Sequence, residues 1–224
     1  MFNSLRKFRT AKSGLAAVEF SMAMPVLLVA LLGFFELNRY ITMTRKLEAT
    51  ANSIAEMLTQ SQNGVITPVD VTFAKDSTMV LFPAVLSDSA RKGVPWGNDI
   101  SVAMSSIVFS KVNAACNSNC VYNAQVAWSS AANAVSRPCN KLLTPVPDTQ
   151  SPSPTTLAID AFGPVPVIAV DIAFNYTPLF AASFMPPLTI KRSAFMQPRY
   201  TPGDAYLKYS VAGGDALVTT CPGF

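Results

Sequence analysis

From residue 15 to residue 35 the chain is apolar at almost every position (LAAVEFSMAMPVLLVALLGFF), and Glu19 is its one charge. At 1.5 Å per residue this stretch spans about 30 Å, the thickness of the hydrocarbon core of a bilayer. Beyond it the pattern changes but stays helical. Leu37, Tyr40, Ile41, Thr44, Leu47, Ala51, Ile54, Ala55 and Leu58 recur at three- and four-residue spacing, and neither Gly nor Pro interrupts them before Gly64. That is the stripe of an amphipathic helix, with Gln62-Asn63-Gly64 as its stop. The pattern predicts one helix over residues 15–62, transmembrane over 15–36 and amphipathic over 37–62.

After Gly64 the periodicity shortens. Residues 99–111, 121–128, 165–176 and 188–196 read as strands. The third is the strongest, with Ile168, Val170, Ile172, Phe174 and Tyr176 at alternate positions. The Pro186-Pro187 turn between the last two suggests an antiparallel hairpin. Helical turns are expected around residues 83–91 and 125–135, and the proline-rich stretch 144–166 reads as an extended loop. The expectation is an α+β fold: a long N-terminal helix packed on a small antiparallel sheet, with residues 63–224 forming an exported head. The aromatics Phe174, Tyr176, Phe180, Phe184, Phe195 and Tyr200 are read as core rather than as a ligand surface.

Charge sharpens the picture near the start. Arg6, Lys7, Arg9 and Lys12 precede the apolar run with no acid among them, and without these four the chain has equal numbers of basic and acidic residues. The positive-inside rule then predicts a cytoplasmic N-terminus and an exported C-terminus. No basic stripe with interleaved aromatics follows, so nucleic acid is not an expected partner. A cleaved secretory signal competes for the same segment. However, such a signal has a shorter apolar stretch and ends on a small-residue cleavage site, whereas Glu36-Leu37-Asn38-Arg39-Tyr40 follows here.

The chain has no histidine, so a Ser-His-Asp triad cannot be assembled from it. Pairings such as Asp160 with Asp171, or Asp99 with Asp204, have no spacing that singles them out as acid and base. No phosphate loop, HExxH motif or EF-hand pattern is present, and no cofactor or metal is expected. Cys116, Cys120, Cys139 and Cys221 all follow the apolar segment, and in an oxidising space they form candidate disulfides in any of three pairings. A zinc site is the weaker reading of the same cysteines.

Two residues inside the apolar run need explanation. A carboxylate in the bilayer costs on the order of 2.5–3.5 kcal/mol at the centre, so Glu19 reads as functional. Pro25 lacks a backbone donor and predicts a kink.

Ser13-Gly14-Leu15-Ala16-Ala17-Val18-Glu19-Phe20 resembles the prepilin-peptidase site of Flp-type pilins and pseudopilins. Pro25, Gly33, Glu36 and Arg39 extend the similarity to the N-terminal helix of the TadE-like proteins of tight-adherence pilus systems. Residues 165–178 resemble the closing strand region of that family. The resemblance implies a basic leader, residues 1–14, removed between Gly14 and Leu15 by a membrane-embedded prepilin peptidase. It implies a register-setting role for Glu19. It further implies a minor pilin or pseudopilin, a structural subunit rather than an enzyme. Such a subunit spans the bacterial inner membrane once, with its head in the periplasm or outside the cell. Its partners would be other pilin subunits, the inner-membrane assembly platform and membrane lipid. The alternative is an uncleaved, single-span periplasmic binding or adhesion protein; a membrane-tethered hydrolase ranks third.

Overall fold

The computed structural model describes residues 13–150, 153–180, 182, 185–201, 205–210 and 218–224. Helix α1, Ser13–Thr59, is continuous and carries Pro25 within it. It ends three residues before the expected stop, and Gly64 takes a left-handed backbone (φ +63°), which glycine tolerates without strain.

The chain divides into two compact units. One runs to Thr42 and takes in Pro178–Pro186; the other is Met43–Thr177 with Pro187–Phe224.

The larger unit holds the α+β domain. Strand β1 (Val65–Ile66) is followed by four short helices: α2 (Pro68–Asp76), α3 (Thr78–Leu81), α4 (Ala84–Lys92) and α5 (Trp96–Asp99). Helix α2 begins on a capping box, in which the Thr67 hydroxyl accepts from the Asp70 N–H and the Asp70 carboxylate accepts from the Thr67 N–H. Then come β2 (Ile100–Lys111), β3 (Tyr122–Ala132), β4 (Thr144–Val146), β5 (Thr156–Ala158), β6 (Val167–Tyr176), β7 (Leu188–Met196), β8 (Lys208–Tyr209) and β9 (Val218–Thr220). The main sheet runs in the order β7-β6-β2-β3-β9, with every neighbouring pair antiparallel. The last two long strands form the expected hairpin, in register from Ile168 opposite Met196 to Tyr176 opposite Leu188.

The sheet is buried on both faces. Along β6, Ile168, Val170, Ile172, Phe174 and Tyr176 are buried on one side, and Phe174 meets Phe82 edge to face with ring centroids 5.0 Å apart. On the other side Val167 and Ala169 join Ile107, Val126, Leu143 and Leu157 in a second cluster. Two-sided burial explains why residues 167–170 read as an unbroken apolar run. Within this unit the helical stripe Leu47, Ala51, Ile54, Ala55 and Leu58 is also buried, each residue 3% exposed or less. At about 1.5–3 kcal/mol for each large apolar side chain, that face is a main source of the domain's stability.

Some expectations need correction. Residues 125–135 are not helical; residues 122–132 are strand β3, bonded to β2 on one side and β9 on the other. Its alanines and serines carry weak strand preference, but two ladders of hydrogen bonds and small side chains buried between neighbours override that preference. The proline-rich stretch is not wholly loop, because β4 and β5 pair in parallel within it. Helices α2, α3 and α5 were not foreseen. Phe180 and Tyr200 are more than half exposed, not core. Phe184, Asp204 and the basic leader before Ser13 lie outside the described residues.

A buried charge cluster ties α4 to α5 and β6. The Lys92 ammonium lies 2.6 Å from Asp88 and 2.5 Å from Asp99, and donates to the Asn175 carbonyl. Burial alone pushes the Asp88 carboxyl up, but Lys92 and Arg91 outweigh it and hold the carboxyl below its ordinary value of 3.8. At Asp99 burial wins: its carboxyl is raised despite Lys92, and Asp88 adds to the rise. The two signs oppose each other. Asp88 contributes stability that is complete above pH 3.8 and is lost as pH falls through its lower folded value. Asp99 takes up its proton in the folded state first, so stability rises as pH falls through its raised value toward 3.8. In Asp99→Asn the rise above pH 3.8 should disappear while the loss below it persists, and Asp88→Asn should show the reverse. Urea unfolding of the detergent-solubilised protein across the acid range checks both.

Candidate functional site

The sequence-predicted residues Gly14, Leu15, Glu19, Pro25, Gly33, Glu36 and Arg39 all lie on α1, in the smaller unit. Among the described residues nothing covers the apolar part of the helix. Its most hydrophobic 18-residue window has no buried residue, and Val18, Phe20, Met22, Val26, Leu27, Val29 and Phe34 are each more than half exposed. An apolar surface of this kind, present on every side of a helix, is suited to lipid or to other apolar helices and is not tolerated in water. Among the described residues this is the one helix long and apolar enough to cross a membrane.

Gly14 and Leu15 fall in the first turn of the helix. Glu19 is exposed and lies four residues after Leu15, so the two positions share one helix face. Pro25 leaves the Ser21 carbonyl without its usual donor four residues on, and the Ser21 hydroxyl donates back to the Val18 carbonyl at 2.8 Å. A Cβ placed on Gly33 would meet nothing within 4 Å, so among the described residues no close approach requires glycine there.

Glu36 is the best-held residue of the group. Its side chain is 12% exposed, and one carboxylate oxygen accepts from the backbone N–H groups of Leu179 (2.9 Å) and Phe180 (3.1 Å). Arg39, one turn on, lies 3.9 Å from the other oxygen. This link between residue 36 and residues 179–180 had no signal in the sequence. The donors are backbone groups, and 143 residues separate the partners.

Each described acid considered from sequence has other partners. Asp171 is committed to Arg137, which donates from Nε (2.8 Å) and from one terminal nitrogen (3.0 Å). Asp160 hydrogen-bonds Asp148, and that bond pushes the exposed Asp148 carboxyl up. Both line an open groove of about 730 Å³ with Arg137 and Lys191. Asp99 belongs to the Lys92 cluster. The cysteines pair as Cys116–Cys120 and Cys139–Cys221.

No curated protein and no solved structure matches the chain. Residues 14–56 match the family model described as TadE-like protein, the family whose N-terminal helix this segment resembles in sequence.

Proposed function

We propose that the protein is a minor pilin or pseudopilin-like structural subunit that acts in assembly of a tight-adherence (Flp-type) pilus or a related secretion apparatus. The observation that carries this reading is the TadE-like match on a helix whose apolar surface is left uncovered by the described residues. In this reading the helix spans the bacterial inner membrane with its N-terminus in the cytoplasm and the α+β domain in the periplasm. It packs laterally on other pilin helices through Ala16, Ala17, Ala23, Ala30 and Gly33, and Pro25 bends it.

The leader ends at Gly14, and prepilin peptidase cleavage leaves an α-amine on Leu15 that is largely cationic at neutral pH. Glu19, one turn later on the same face, pairs with that amine or with the amine of a neighbouring subunit. The pairing offsets the cost of a carboxylate in lipid and sets the register of the stack. The role is structural, not enzymatic.

N-terminal sequencing of the membrane-bound protein tests processing: Leu15 is expected, whereas Met1 would favour the uncleaved binding or adhesion protein. Glu19→Ala should leave membrane insertion intact while incorporation into the pilus falls by roughly a hundredfold, because the α-amine it pairs with is left charged and unpaired, at a cost of about 3 kcal/mol. Normal piliation of that variant in a shear-release assay would overturn the register role.

A further inference from the structure

We infer that the connection between β6 and β7 is a second lipid contact, an apolar tip held at the membrane boundary by Glu36; this rests on the membrane-spanning reading of α1. The chain carries no charged residue between Asp171 and Lys191, and prolines 178, 186 and 187 bracket the connection. Leu179, Phe180 and Met185 expose 46%, 53% and 45% of their surface, although the connection belongs to the same compact unit as the apolar helix. In water this would be unexplained apolar exposure; next to Glu36, directly after the apolar run, it is a surface suited to a bilayer.

The depth follows from Glu36. It succeeds Phe35, the last residue of the apolar run, so in a spanning helix its carboxylate lies where hydrocarbon gives way to headgroups. Two backbone N–H groups, those of Leu179 and Phe180, converge on one of its oxygens. At that depth water is scarce, and an unpaired N–H is costly. A carboxylate accepting two amides fixes the connection there and leaves the Leu179 and Phe180 side chains free to enter the acyl boundary, as apolar and aromatic anchors do at membrane interfaces. The occupant is lipid rather than a protein groove, because the exposed side chains belong to residues bonded to Glu36, which directly follows the run that this reading places in the bilayer.

The test uses the full chain in phosphatidylethanolamine–phosphatidylglycerol vesicles containing radiolabelled lipid. Benzoylphenylalanine is placed singly at residue 180, at residue 26 on the apolar helix, and at exposed Tyr200 as a control. On illumination, lipid adducts are expected at 26 and 180 and background at 200. Glu36→Ala removes the acceptor of both amides and should lower the adduct at 180 at least tenfold, since one charge-assisted bond alone is worth about that factor, without changing that at 26. Glu36→Gln, which keeps an acceptor oxygen, should restore most of it. Background at 180 with labelling at 26 overturns the inference and leaves the span intact. Background at 26 removes the membrane reading and the inference with it. An adduct at 180 indifferent to Glu36→Ala overturns the holding role of that residue.

Discussion

Replacing Arg137 with Met is expected to destabilise the α+β domain by about 3 kcal/mol or more, among the largest effects of any single substitution. The guanidinium side chain is 1% exposed. It donates twice to Asp171, in the middle of β6, and once to the Thr156 carbonyl of β5 at 2.6 Å, while the Arg137 backbone N–H donates to Ser129 Oγ of β3. One side chain thus joins the central sheet to the small parallel pair. Removing it strands the Asp171 carboxylate, which also accepts from the Ser193 hydroxyl of β7, in a site where only about a fifth of the side chain meets solvent. The cost is chiefly the unpaired charge and not the lost attraction. The double variant Arg137→Met with Asp171→Leu should therefore recover much of the loss. Urea unfolding followed by far-UV circular dichroism measures both. A double variant no more stable than the single one would show that packing, and not charge, dominates the site.

Opening the Cys139–Cys221 bridge by serine substitution is expected to cost on the order of 4–5 kcal/mol, against about 2 kcal/mol for Cys116–Cys120. The difference is one of loop length. The first bridge closes a separation of 82 residues and the second a separation of 4, and the entropy removed from the unfolded chain grows with the logarithm of that number. The long bridge also fastens β9. Cys221 follows edge strand β9, donates its N–H to the Ala127 carbonyl, and is buried in the same cluster as Leu143 and Leu157. Thermal unfolding of the two double-serine variants under oxidising conditions checks the order, and equal losses would contradict the loop-length account. Because Cys139 lies two residues from Arg137, the bridge and the charge pair should not behave additively when removed together.

The membrane-type helix, its apolar-to-amphipathic change near residue 36, the strands around residues 100–111, 167–176 and 188–196, and the hairpin of the last two follow from the sequence alone. Each depends on a local property, either the length of an apolar run or the period at which apolar side chains recur. Glu19 and Pro25 are visible for the same reason, since a charge or a missing donor stands out against apolar neighbours. What only the tertiary structure decides depends on partners remote in sequence. Ala127 to Ala132 become strand because β2 and β9 flank them, Arg137 finds Asp171, Cys139 finds Cys221, and Glu36 receives the amides of residues 179 and 180. No periodicity encodes such pairings, because a polar group taken out of water costs free energy unless a partner meets it, and which partners or thiols meet is settled only when the chain closes.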